Sequence, residues 1–223
     1  MRCISVAVDG PAGAGKSSVS KAVAKDLGYV YIDTGAMYRS VALFAKRNNI
    51  DAKNNPDSLI SRLGEIEISM KNTDEGQKIF LNGEDVTSEI RNEEISAGAS
   101  AVATLPQVRK RLVGMQKKMA EGENVIMDGR DICTSVLPNA TVKVYLTASV
   151  GARAKRRCEE LREKGVDCDY ESVERDIRAR DFNDMNRKES PLRQAEDAVL
   201  MDTSDIDFSE SVARLKDLIL AAL

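Results

Sequence analysis

Histidine and tryptophan are both absent from this 223-residue chain. Without histidine, a Ser-His-Asp triad, an imidazole metal site and a histidine pH switch are all excluded. Aromatic residues make up only 4% of the sequence, which argues against a protein that reads single-stranded nucleic acid by stacking bases on rings. Charge of one sign is not in excess: 33 basic and 36 acidic residues leave a net charge of −3, so a uniformly basic nucleic-acid-binding body is not expected. No apolar run approaches the roughly 20 residues that a membrane helix needs, so no membrane partner is expected. Residues 1–10 include Asp9 and lack a cationic start with a small-residue cleavage site, so a signal peptide is not expected and a cytoplasmic location is. The four cysteines, Cys3, Cys133, Cys158 and Cys168, form no C-x-x-C pair and give zinc little support. They are read as reduced thiols.

What is present fits a folded domain. The chain is 42% hydrophobic and 31% charged, enough apolar residues for a core, and its length suits one large domain carrying insertions. Five short apolar runs, at residues 3–8, 29–32, 124–127, 142–146 and 198–201, end in small or acidic residues and show no clean alternation. Such runs suit strands buried on both faces of a parallel sheet. Helical spacing lies between them: Val19, Val23 and Leu27 closed by Gly28; Val108, Leu112, Met115 and Met119; and Phe208, Val212, Leu215, Leu218 and Ile219. Strands alternating with helices predict an α/β fold. Two connections exceed what one crossover helix needs. In the first, Ile66, Ile68 and Met70 alternate with polar residues, and runs at 77–81 and 85–90 follow the Gly-containing turns Glu75-Gly76 and Asn82-Gly83, predicting a small antiparallel insert. The second, residues 149–196, is highly charged and helical, broken at Gly165.

The strongest chemical signal is Gly10-Pro11-Ala12-Gly13-Ala14-Gly15-Lys16-Ser17, a G-x-x-x-x-G-K-[ST] match directly after a strand and before a helix. Backbone N–H groups of such a loop curl around phosphate oxygens, and the helix N-terminus adds partial positive charge. Lys16 can reach the β- and γ-phosphates, and the Ser17 hydroxyl can join a Mg2+ shell. A P-loop alone does not separate GTPases, ATPases and small kinases. However, no N-K-x-D guanine reader is present, and arginines cluster near strand ends, as a kinase with a second anionic substrate requires.

Three clusters qualify. In Asp33-Thr34-Gly35-Ala36-Met37-Tyr38-Arg39, Thr34 either caps the next helix or touches ligand, and Arg39 can grip a phosphate. In Asp128-Gly129-Arg130-Asp131, Asp128 stands where a carboxylate steers the metal through water, Arg130 suits a second phosphate, and Asp131 can accept from an amino group; an ordinary Asp-Gly turn is the alternative for any one of them. The third holds Arg178, Arg180, Asp181, Asp184 and Arg187, with Arg180, Asp184 and Arg187 on one helix face. A solvated salt-bridge face and a mobile cationic lid both fit it. Arg153, Arg156 and Arg157 add positive charge, with a surface role the simpler reading for each.

These pieces, in this order, resemble the bacterial cytidylate kinases among the nucleoside monophosphate kinases. The resemblance covers essentially the whole chain and includes Ser100 to Arg109 with Leu105-Pro106. It implies a P-loop kinase fold: a five-stranded parallel sheet flanked by helices, with a small antiparallel acceptor-binding insert and a helical lid. Carried onto this chain, that means a core of about residues 1–62, 105–150 and 190–223, an insert of about 63–104 and a lid of about 151–189. ATP with Mg2+ is the implied donor, CMP or dCMP the implied acceptor, and the expected state is a monomer with no nucleic-acid partner. At matching positions, residues 10–17 and Ser18 would hold ATP. Arg39, Arg130 and Arg187 would hold the acceptor phosphate and, with Lys16, act in catalysis. Ser100, Arg109 and Asp131 would read cytosine, Arg180 and Asp184 would face the sugar, and Thr34 and Tyr38 would sit beside the nucleotide. Arg153 and Arg157 are the lid candidates. Two positions depart from the family: Thr34 where serine is frequent, and Cys133 where glycine is frequent. The runner-up is another small P-loop kinase, acting on a different nucleotide or a small acid such as shikimate, and two other classes stay open: a nucleotide-dependent switch protein, and an RNA binder using the basic stretches 107–118 and 153–164.

Overall fold

The apolar runs become strands, each displaced one or two residues towards the C-terminus at one or both ends. The structure, a computed structural model, describes residues 3–73, 76–163 and 165–223. In chain order the elements are β1 (Ser5–Asp9), α1 (Lys16–Leu27), β2 (Val30–Asp33), α2 (Thr34–Arg47), α3 (Pro56–Ile60), β3 (Ile68–Thr73), β4 (Gly76–Leu81), β5 (Glu84–Asp85), α4 (Glu93–Val102), α5 (Pro106–Met119), β6 (Val125–Gly129), β7 (Val142–Thr147), α6 (Val150–Glu163), α7 (Tyr170–Asn186), β8 (Val199–Asp202) and α8 (Phe208–Leu220). The chain divides into two compact units, Met1–Tyr29 with Gly122–Leu223, and Val30–Glu121.

In the first unit β1 runs parallel to β6 on one side and β7 on the other, with β8 parallel beyond β7. β2 is counted as the fifth strand of this sheet. Val6, Ala7 and Val8 of β1, and Val125, Ile126 and Met127 of β6, are fully buried, as strands covered on both faces should be. β8 departs from that expectation. It is an edge strand whose Val199 and Leu200 are exposed and only Met201 is buried. Val19 and Val23 of α1 and Leu215 and Ile219 of α8 are buried, whereas Phe208, at the start of α8, is exposed. Gly28 ends α1 in the left-handed region at φ 67°.

α6 and α7 form a hairpin. Arg153, near the start of α6, pairs with Asp181, late in α7, while Cys158 meets Cys168 near the turn, so the helices run antiparallel. The four-thiol expectation is corrected here: Cys158 and Cys168 are joined as a disulfide, Cα–Cα 5.3 Å, and Cys3 and Cys133 are free. Spacing along the chain gave no sign of it, because the helix reversal supplies the approach.

The second unit carries the antiparallel sheet β3-β4-β5. Asn82 and Gly83 both have positive φ, 51° and 84°, the backbone of a two-residue hairpin turn with matching twist. The expected turn at Glu75 lies outside the described residues. The expected strand at 85–90 is corrected: β5 ends at Asp85, whose carboxylate accepts from the Thr87 N–H and hydroxyl. The chain then curls so that Val86 and Ile90, one turn apart, are both fully buried. Met37 and Leu43 of α2, Leu59, Ile79, Ile95 and Leu112 fill one continuous core. The Gln77 side chain donates to the Tyr31 carbonyl, tying β4 to β2.

Candidate active site

The phosphate loop begins where β1 ends. Gly10 has φ 151°, and a Cβ there would lie 1.9 Å from the Leu146 carbonyl oxygen of β7, so the loop leaves the sheet through a gap only glycine fits. Gly15, at φ 86°, turns the chain into α1 with no side-chain cap, leaving first-turn N–H groups facing the loop. Lys16 is buried, its Nζ donating to the Pro11 carbonyl at 2.7 Å. Burial first, and the Arg130 charge second, lower its pKa to about 7 against the pull of Asp128, Asp9 and Asp184. The Ser17 hydroxyl donates to Asp128 Oδ2 at 2.8 Å, which puts two hard oxygen ligands side by side.

Beyond β6, Arg130 and its neighbours form a chain of alternating charge. Arg130 Nε donates to Asp184 Oδ2 at 2.8 Å, Asp184 Oδ1 lies 3.9 Å from Arg187 Nη1, and Arg187 Nη2 lies 3.4 Å from Asp131 Oδ1. Arg187 also donates from Nε to the Ser190 carbonyl and is nearly buried. The expectation that Arg180, Asp184 and Arg187 share a helix face is corrected in part: α7 ends at Asn186, and Arg187 has the extended backbone of a C-cap. Arg180 is half-buried on α7.

Asp9, to which the sequence pattern assigned no role, proves to be a positioning residue. Its two carboxylate oxygens accept from the Ile132 and Cys133 N–H groups, each at 2.8 Å, and so hold the π-type turn Ile132–Val136 that follows Asp131. Burial pushes its pKa up to about 6, opposed by those two N–H groups. The signal in the sequence was an aspartate closing an otherwise apolar strand. The Cys133 side chain lies towards the Ala7 and Val144 carbonyls of the sheet, and burial raises its thiol pKa, so it fills the core.

Arg153 and Arg157, the two lid candidates, separate. Arg153 is buried, donating to the Ala148 carbonyl at 2.8 Å and the Ala12 carbonyl of the phosphate loop at 2.9 Å while paired with Asp181 at 2.7 Å. The surface reading of this arginine is therefore replaced by a structural one. Arg156 is also half-buried, its guanidinium reaching the Thr203 hydroxyl and the Ile206 carbonyl. Arg157 keeps the surface character expected of it, paired with Glu160.

In the second unit, Asp33 rather than Thr34 caps α2: its Oδ1 accepts from the Ala36 N–H at 2.8 Å, and Thr34 is the first helical residue, buried. Asp33 Oδ2 also holds Arg39 Nη2 at 2.9 Å. Gly35 makes room for that pair, since a Cβ there would lie 3.1 Å from Arg39 Nη1 and 3.2 Å from Asp33 Oδ1. Arg109 is buried on α5 with its guanidinium 5.8 Å from the Tyr38 ring centre, a cation–π contact. Ser100 is exposed on α4, its hydroxyl 3.4 Å from the Ser96 carbonyl.

A phosphate loop, a Ser–Asp oxygen pair and arginines held ready by carboxylates are the parts of a phosphoryl-transfer site. Residues 6–220 match the cytidylate kinase family. The chain belongs to that family. It is similar to a cytidylate kinase of Caldicellulosiruptor bescii, 48% identical over 98% of this chain and 96% of that one. It is similar to another of Lactobacillus johnsonii, 46% identical over 96% and 93%. Among solved structures it resembles an uncharacterized protein from Eubacterium ventriosum, with TM-score 0.54 and 12% identity over 98% of this chain and 99% of that one, a likeness of fold. Membership makes the protein a kinase, an enzyme of ATP-dependent phosphoryl transfer. Among the described residues, no helix is long and apolar enough to cross a membrane.

Proposed function

We propose that this cytidylate kinase family member transfers the γ-phosphoryl group of ATP·Mg2+ to CMP or dCMP, giving ADP and CDP or dCDP, as a cytoplasmic monomer. The observation that carries the reading is the alternating chain Arg130–Asp184–Arg187–Asp131 in the same unit as the phosphate loop. Two arginines kept in place by carboxylates are ready to exchange those partners for an incoming phosphate. The acceptor phosphate is already an anionic nucleophile, so the reaction needs no strong base and the absence of histidine is no obstacle. The task is to bring two anions together, and Lys16, Arg39, Arg130 and Arg187 neutralise charge while orienting the phosphates.

Ser17 and Asp128 fit Mg2+, being oxygen donors 2.8 Å apart, with Asp128 acting through water. Ser17 and Asp128 would hold the ion, which would supply neutralisation of the ATP phosphate charge. Residues 10–18 hold ATP. Ser100, Arg109 and Asp131 read the amino group, N3 and O2 of cytosine, with Thr34, Tyr38, Arg180 and Asp184 beside the nucleotide. In this reading residues 63–104 act as the acceptor insert and 151–189 as a lid that closes over ATP and excludes water.

The test is ADP formation from ATP·Mg2+ with CMP, dCMP, UMP, AMP, GMP and shikimate supplied singly. Rapid turnover confined to CMP and dCMP is expected. UMP presents a carbonyl where cytosine presents its amino group and should be a poor acceptor; equal turnover of UMP and CMP removes the base-reading set. Hydrolysis independent of any acceptor would favour a nucleotide switch instead.

A further inference from the structure

The α6–α7 hairpin is tied at two places. At its open end, the buried Arg153–Asp181 pair also holds the phosphate-loop carbonyl of Ala12. Near its turn, Cys158 and Cys168 meet at a Cα–Cα distance of 5.3 Å, inside the span a disulfide bridges without backbone movement. The second tie is the only one of the two that a change of electrons can open. We propose that Cys158 and Cys168 are a reversible redox site, a dithiol–disulfide pair that exchanges with small soluble thiol–disulfide couples and sets how firmly the start of α7 is held to α6.

Access decides the order of events. Cys158 is buried on α6, at 3% exposure, whereas Cys168 is half-buried in the loop just before the α7 cap Asp169. In oxidation, the Cys168 thiolate attacks a sulfur of a small disulfide, forming a mixed disulfide and releasing one reagent thiolate. The Cys158 thiolate then attacks Cys168 Sγ, and the second reagent thiolate leaves. The protein gives up two electrons and two protons, and the reagent disulfide becomes two thiols. Reduction reverses each step, entering at Cys168. The other cysteines do not compete: Cys133 is buried with its thiol pKa raised, and Cys3 is outside the hairpin, ahead of β1. Asp167 and Asp169 flank Cys168, so an uncharged dithiol is the appropriate probe.

The consequence for ATP and the acceptor rests on the proposed kinase reading. The hairpin carries Arg153 against the phosphate loop and Asp184 against Arg130. Opening the tie loosens the framework that positions them, and with it Arg180 and Asp184 of α7, which the proposed reading sets beside the acceptor.

The full chain is equilibrated in mixtures of oxidised and reduced dithiothreitol, quenched, alkylated and read by peptide mass. Cys158 and Cys168 are expected to lose alkylation together in one two-electron step, with loss of two hydrogens in mass, while Cys3 and Cys133 stay alkylatable after unfolding. Amides of residues 165–172 should exchange about fivefold or more faster in the reduced protein. KM for ATP and KM for CMP should each rise about threefold on reduction. Cys168→Ser should show the reduced values in every mixture. The proposal is overturned if both cysteines alkylate at every ratio, if the bond survives fully reducing buffer in the folded protein, or if amide exchange is the same in both states. Absence of CMP-dependent ADP formation in both states would defeat the kinase reading, and the alkylation and exchange results would still decide this one.

Discussion

At the scale of single residues, the phosphate loop and the aspartate behind it carry the sharpest consequences. Gly10→Ala would place a methyl 1.9 Å from the Leu146 carbonyl oxygen, a backbone atom that cannot step aside. The variant should lose on the order of 3 kcal/mol or more of stability and its nucleotide affinity, read by denaturant unfolding and ATP titration. Asp9 makes a pH prediction. Its carboxyl is protonated below about 6 in the folded protein but only below 3.8 when unfolded. Its contribution is therefore fully present below pH 3.8 and is lost as pH rises through 6. Relative to Asp9→Asn, the wild type should lose roughly 3 kcal/mol between about pH 4 and pH 6, read from paired unfolding curves; parallel profiles would show that Asp9 titrates normally. Arg39→Ala and Arg130→Ala should each cost about 10³-fold in kcat/KM with the unfolding midpoint little changed, and unchanged kinetics in either would remove that residue from the mechanism.

At the scale of elements, α2 is built around one carboxylate doing two tasks, capping its first turn and anchoring Arg39. Gly35 is the residue between them. Gly35→Ala adds helix propensity of up to about 1 kcal/mol, so stability should hold or rise, yet its methyl presses on the Arg39 guanidinium. Activity is expected to fall at least about tenfold while the melting temperature does not, a split that melting curves and initial rates read together. Element types were legible for a physical reason. Apolar runs and helical spacing report burial, and burial is what the sheet and helix faces impose. Boundaries slipped because Asp9, Asp33 and Asp202, read as the stops after strands, are paired in them or close them. β5 was misread because Val86 and Ile90 satisfy both a strand and a tight turn that buries both side chains.

For the whole molecule, the chain forms two compact units, one carrying the phosphate loop and the other Arg39, Tyr38 and Arg109. A non-hydrolysable ATP analogue with Mg2+, at about 100 times its Kd, should raise the melting temperature by roughly 5–10 °C. No shift would count against nucleotide binding by the loop. The α/β class, the phosphate loop with Lys16 and Ser17, and the set of arginines near strand ends were legible in the residues alone. These follow from local periodicity and from chemistry that needs fixed spacing along the chain. That Asp128 meets Ser17, that Asp184 stands between Arg130 and Arg187, that Asp33 rather than Thr34 caps α2, and that Cys158 reaches Cys168 emerged with the folded chain. The distant pairings among these depend on where strands and helices return to one another, and the cap on which of two adjacent polar residues keeps a non-helical backbone. Spacing along the chain states neither.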